Sequence, residues 1–273
     1  FYRAINCHIS RDDQWVIIHS SLLHFNVDWK VARWELLAAL RQLINEGITI
    51  VVPCFTFSFC NGVQYHHLYS KSEVGLLGDW FRLLDGVIRT NHPIYSFAAC
   101  GPRAIELLSL GSSTTFGIDS PFALWEQDKA RLIMFGNSWK YCTQLHHQEE
   151  LAKVPYRYYK TFTGSSDFGS GLIKTEANMY VRNKELIPVN NFDSVIQQLR
   201  QNGSIYESIL EGATITSTTA SLLGNECKRL LLKDKYAFVE KPNLVRYRKH
   251  NMESRNTKNK LKVALIGQSN LSL

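Results

Sequence analysis

Two apolar runs of strand length flank one amphipathic stretch near the start of the chain. They read QWVIIHSSL (14–22) and ITIVVPCFTFS (48–58), with WKVARWELLAALRQLINEG (29–47) between them. The second run is β-branched almost throughout, which marks a buried strand. In the middle stretch Val31, Trp34, Leu37, Ala38, Leu40 and Ile44 recur at helical spacing, and Gly47 is a natural stop. Strand, helix, strand in this rhythm demands a crossover and a parallel pair. The fold class is therefore α/β.

The rest of the chain keeps that rhythm. SEVGLLGDWFRLLDG (72–86), with Ser72 as its cap, and GPRAIELLSLG (101–111) read as helices, and ARLIMFG (130–136) as a further buried strand. CTQLHHQEELAKV (142–154) follows as a helix ended by Pro155. Segments from Phe162 to Val189 look like hairpins. NFDSVIQQLRQNG reads as a helix capped by Asn191 or Asp193, and the stretch after it mixes strand and helix. No internal repeat appears. At 273 residues, residues 1–248 make one large domain. Residues 249–260 read as a basic linker. LKVALIGQSNLSL (261–273) reads as the truncated opening of a further domain, and the chain's start at Phe1 as cut or processed.

Composition excludes several classes. No apolar run approaches the ~18 residues of a membrane span. Six scattered cysteines without a CxxC pair argue against a zinc ribbon or a disulfide scaffold and point to reduced thiols in the cytoplasm. The net charge is +7, much of it late in the chain, without the aromatic interleaving of a nucleic-acid surface. A mild positive field of this kind suits an anionic cofactor or substrate.

Four clusters carry possible chemistry, each near a strand or loop that gives way to a helix. His19, Ser20 and Ser21 end the first strand, where free N–H groups and hydroxyls hold a carbonyl or phosphate or simply form a turn. Thr56, Phe57 and Ser58 offer a wall of alternating hydroxyl and apolar groups, or an ordinary strand edge. Arg89, His92 and Ser96 sit in a loop fixed by Pro93, a combination suited to phosphate. In YCTQLHHQEELAKVPYRYY (141–159), His146 and Glu149 share a helix face, as do His147 and Glu150. A carboxylate on one ring nitrogen fixes the tautomer and leaves the other nitrogen as a base. Thr143 falls on the face of His146. No third or fourth ligand is suitably spaced, so no metal is expected. A solvated helix face is the plainer alternative.

Taken in order, VIIHSSL, GITIVVPCFTFS, EVGLLGDWFR, GVIRTNHPIYSFAACGPRA, DSPFALW and CTQLHHQEELAKVPYRYYK resemble the aminoglycoside N3-acetyltransferase family, from about Gln14 to about Val239. The resemblance implies a three-layer α/β/α domain with a central mixed sheet and a smaller antiparallel subregion. It implies acetyl transfer from acetyl-CoA to an amine, without a metal, with His146 and Glu149 as the catalytic pair and Thr143 beside them. It places His19, Ser20, Ser21, Thr56, Phe57, Ser58, Arg89, His92, Ser96 and Ser120 along the acetyl-CoA tunnel. Oxyanion donors are expected from Thr143 and from N–H groups near Ser20 and Ser21. His147 and Glu150, rotated by about 100°, are expected to flank the site or face solvent.

The acceptor is expected to be a small-molecule amine on an amino sugar. Lys153, Arg157 and Lys160 follow the pair with no acid among them, which suits a sugar nucleotide or glycan in biosynthesis better than a polycation. The alternatives are an aminoglycoside antibiotic, a non-catalytic CoA-binding module, or a hydrolase using the same pair on water. No nucleic acid or membrane partner is expected, and a homodimer is compatible with the chain.

Overall fold

The computed structural model describes residues 1–111, 113–183 and 190–240. The linker and the further domain expected after residue 248 lie outside the described residues. Helix α1 (Tyr2–Asn6) precedes β1 (Trp15–Ser20), α2 (Trp29–Asn45) and β2 (Thr49–Pro53). β1 and β2 are parallel, with Val16 opposite Ile50, as the opening crossover requires. β3 (Tyr65–His66), α3 (Leu76–Phe81), β4 (Ile88–Arg89), β5 (Phe97–Cys100), α4 (Pro121–Gln127) and β6 (Arg131–Phe135) follow. Then come α5 (Gln144–Leu151), β7 (Arg157–Asp167), β8 (Leu172–Arg182), α6 (Asp193–Gln201), β9 (Tyr206–Leu210), β10 (Ala213–Thr219) and α7 (Ala220–Lys233).

The seven-stranded sheet runs β4-β5-β2-β1-β6-β10-β9. β2, β1 and β6 are parallel at its centre, and antiparallel strands flank them on both sides. The central strands are apolar throughout because both sheet faces are covered. Trp15, Ile17, Leu132 and Met134 join one core with residues of α4, α5, α6 and α7. Val16, Ile18, Ile133 and Phe135 join the other with residues of α1, α2 and α3. That is the three-layer arrangement. The smaller sheet is the long hairpin β7–β8, with β3 added in parallel beside β7.

Two expected helices differ. Residues 72–86 give only α3, because Gly75 at φ +133° cannot be helical and Ser72 does not cap it. The Ser72 hydroxyl accepts instead from the Val74 N–H at 3.4 Å. Residues 101–111 form only a 3₁₀ turn at Ala104–Leu108. Two glycines set close approaches. A side chain on Gly78 would strike the Pro53 carbonyl, and one on Gly136 (φ +64°) would strike the Phe25 ring, so α3 and the loop after β1 sit tight against the ends of the central strands.

Candidate active site

The loops leaving the carboxyl ends of β1, β2 and β6 surround a cavity of about 920 Å³. This is the usual position for a ligand in an open α/β sheet. His19–His24, Pro53, Phe55, Phe57 and Asn137–Ser138 form its strand-end wall, and Thr143 and His146 of the next segment close it.

Helix α5 holds the candidate pair, His146 and Glu149. It is only eight residues long, and the turn after it brings Lys153 to φ +49° ahead of Pro155. The chain then reverses into β7, and this carries Tyr156, just before the strand, and Arg157, its first residue, back against the helix. Glu149 is fully buried. Its Oε2 lies 2.7 Å from His146 Nδ1 and 2.7 Å from Arg157 Nη2, and its Oε1 accepts from the Tyr156 hydroxyl at 2.9 Å. Arg157 Nη2 also lies 3.0 Å from His146 Nδ1, and Nη1 donates to the Tyr180 carbonyl at 3.0 Å.

These contacts decide the tautomer. Burial works against the Glu149 carboxylate, but the Arg157 charge and the His146 hydrogen bond outweigh it and hold its pKa below the ordinary value. Glu149 is therefore ionised and accepts only. The His146 proton then sits on Nδ1, pointing at Glu149, and the approach of Arg157 to Nδ1 is a close contact rather than a hydrogen bond. Nε2 is left with its lone pair and has no partner among the described residues. Burial first, then Arg157, lowers the His146 pKa against the opposing pull of Glu149. The ring is neutral at pH 7 and reaches the cavity through the 20% of its surface that stays exposed.

Thr143 is the N-cap of α5, yet its hydroxyl makes no capping bond. It is buried, lines the cavity, and has no hydrogen-bond partner among the described residues, so the hydroxyl is available to a ligand. The Ser21 N–H is not available, because it donates to the Phe135 carbonyl at 2.9 Å. The expectation of an oxyanion donor there is corrected for Ser21.

The second pair is also corrected. His147 and Glu150 are buried, not solvent-facing. α5 lies between α4, α7 and the 114–117 loop, so it has no wet face. His147 Nδ1 bonds the Phe116 carbonyl at 2.6 Å, and Glu150 accepts from the Thr114 hydroxyl. Both anchor the loop whose Phe116 ring packs 5.5 Å from the His146 ring.

The residues assigned to the tunnel divide. His19, Ser20, Ser21 and Phe57 line the cavity. Burial lowers the His19 pKa to about 4, so it is neutral there. The others do not line it, and backbone carbonyls take up the side chains of Arg89, Ser96, Thr56 and Ser120. Arg89 donates to the carbonyls of Cys54, His67 and Ser70 and to the Ser96 hydroxyl, which itself donates to Cys54. Thr56 bonds the Pro93 carbonyl at 2.6 Å, and Ser120 the Gly117 carbonyl at 2.6 Å. His92 accepts from the Ile94 and Tyr95 N–H groups and lines a separate cavity of about 480 Å³. The Ser58 N–H donates to the Glu73 carboxylate at 3.0 Å. Among the described residues no group of three His, Cys, Asp or Glu side chains is placed to hold a metal, and no helix is long and apolar enough to cross a membrane.

Sequence reasoning missed Arg157, Tyr156, Tyr95 and Arg182. Tyr95 and Arg182 line the cavity. Arg157 was counted as a surface cation but is buried against Glu149. The usable signal was its place two residues after Pro155, just beyond α5, where the chain must double back.

A neutral imidazole, held by a buried carboxylate and presenting a free nitrogen to a cavity at the ends of parallel strands, is the candidate site of this α/β fold. The chain belongs to the aminoglycoside 3-N-acetyltransferase family, whose model matches residues 17–231. It is 37% identical over 78 residues to aminoglycoside N(3)-acetyltransferase IX of Micromonospora chalcea, covering 28% of each chain. It is 31% identical over 124 residues to aminoglycoside N(3)-acetyltransferase IV of Salmonella sp, covering 44% of this chain and 46% of that one. The match thus spans less than half the length of either curated relative. The fold is that of the aminoglycoside acetyltransferase AAC(3)-IVa apoenzyme, with TM-score 0.72, 21% identity, and 88% and 89% of the two chains covered. It is also that of AAC-IIIb with CoASH bound, with TM-score 0.68, 16% identity, and 81% and 90% covered.

Proposed function

We propose that the chain is an acetyl-CoA-dependent N-acetyltransferase acting on an amine of an amino-sugar-containing acceptor. The observation that carries this reading is the His146–Glu149–Arg157 set, with Nε2 left free at the cavity wall. The cavity volume suits the acyl end of acetyl-CoA together with part of an acceptor. The relatives' names point to aminoglycosides as acceptors and the net charge to a sugar nucleotide, so both classes are assayed.

The proposed chemistry uses that nitrogen as a base. As the amine nitrogen attacks the thioester carbonyl, His146 Nε2 takes its proton. Glu149 stabilises the imidazolium that forms. The N–C bond forms, and negative charge builds on the carbonyl oxygen. The free Thr143 hydroxyl is the side-chain donor available to it. The C–S bond then breaks, CoA leaves as thiolate, and the imidazolium returns the proton to sulfur. No covalent enzyme intermediate is needed.

The test is mass spectrometry of an amine acceptor incubated with the protein and acetyl-CoA. An acetyl mass gain that depends on the protein is expected. Thiol release at the same rate without any amine would instead assign a hydrolase. A protein that binds CoA and does neither would be a binding module.

A further inference from the structure

The cavity has an unusual charge. Among the described residues, the Lys, Arg, Asp and Glu side chains lining it are Lys140, Arg182 and Glu73. The Glu73 carboxylate accepts the Ser58 N–H. Arg182 is the informative one. It ends β8 and sits directly opposite Arg157 in the β7–β8 ladder. Like charges opposite one another destabilise a strand pair. Arg157 is neutralised by Glu149, whereas half-buried Arg182 has only a neutral partner among the described residues, with Nη1 donating to Asn190 Oδ1 at 2.8 Å. Asn190 lines the same cavity.

Position separates this cation from the cofactor's phosphates. Arg157 touches His146 at 3.0 Å, and Arg182 is its cross-strand partner, so Arg182 stands near the reacting centre. The phosphates of CoA lie a whole pantetheine arm from the thioester. A guanidinium that has no ion-pair partner among the described residues, beside the reacting amine, repels an acceptor rich in ammonium groups and attracts anionic oxygen, which it binds in fork geometry.

We propose that Arg182 and Asn190 form a subsite for a phosphate or carboxylate that the acceptor carries next to its reactive amine. This inference rests on the N-acetyltransferase reading and adds the acceptor's chemistry. The chain then departs from relatives named for aminoglycosides, which are polyammonium compounds.

The experiment measures acetyl transfer to glucosamine 1-phosphate, muramic acid, neutral glucosamine and gentamicin. The anionic sugars should exceed glucosamine in kcat/KM by about tenfold or more, as charge-assisted hydrogen bonds allow. A preference for glucosamine 1-phosphate assigns a phosphate, and one for muramic acid a carboxylate. Arg182→Gln should collapse that ratio towards one, Arg182→Glu should invert it in favour of gentamicin, and Arg182→Lys should retain part of it. Equal ratios in the native chain and Arg182→Gln would overturn the proposal, as would a native preference for gentamicin. An Arg182→Gln defect confined to the KM for acetyl-CoA would assign the cation to the cofactor and overturn it too. Transfer to no amine at all would refute the underlying enzyme reading as well, which sets that failure apart from a failure of the subsite alone.

Discussion

Replacing Arg157 by Met tests the electrostatics of the site most sharply. The guanidinium contacts Glu149 at 2.7 Å and His146 at 3.0 Å, in a place almost closed to water. Removing one partner of a buried ion pair costs about 3–5 kcal/mol when the other charge remains. Part of that loss is relieved as Glu149 becomes easier to protonate, since Arg157 is the strongest influence lowering its pKa. Arg157 also lowers the His146 pKa, second only to burial. Without it the His146 pKa rises, so the base is protonated at a higher pH. The acidic limb of the kcat/KM profile, which lies below the ordinary histidine value in the native chain, should therefore move to higher pH. Thermal melts at pH 7 should show a lower midpoint. Thiol release recorded across pH 4–9 gives the limb. A limb that stays in place, or moves to lower pH, would refute the reasoning, because no other change in this variant removes positive charge from beside the ring.

Thr143→Val keeps the side-chain shape and removes the free hydroxyl. If that hydroxyl faces the oxyanion, kcat should fall by about 10²–10³ with little change in KM; steady-state kinetics on the chosen amine decide it. Glu150→Gln should lower the melting midpoint while kcat changes by less than about tenfold, because Glu150 holds the Thr114 hydroxyl rather than His146. Stability should also fall steeply on acidification. Burial lowers the pKa values of His8, His19 and His92 to about 4, so the unfolded chain binds more protons between about pH 6.5 and 4. Stability is then present above that window and is lost as pH falls through it, by up to about 4 kcal/mol per pH unit for three groups. Urea titrations at pH 7, 6 and 5 should show this, and a flat midpoint would count against buried, neutral histidines.

The crossover of β1, α2 and β2 was legible because helix and strand periods differ and each segment held one period. The contact between His146 and Glu149 was legible because both residues lie on one helix turn, where spacing alone sets proximity. Arg157 was not, because its partner Glu149 is reached through a chain reversal that no periodicity encodes. Arg89 misled for the opposite reason: a loop holding Arg, His and Ser can bind phosphate, or it can bind its own carbonyls. Here the carbonyls of Cys54, His67 and Ser70 take every guanidinium nitrogen not bonded to Ser96. For His147 and Glu150 the sequence left two places open, flanking the site or facing solvent, because spacing gives a helix its faces but not its neighbours; they flank it, buried. The cavity itself is assembled from loops far apart in the chain.

The central claim is that His146 Nε2 is the base for amine attack. Its most direct measurement is single-turnover acetyl transfer by His146→Gln beside CoA binding by calorimetry. The account predicts a rate loss of about 10²–10⁴-fold with CoA affinity within a few-fold of the native chain. Transfer at the native rate, or lost CoA binding with the chemistry intact, would contradict it.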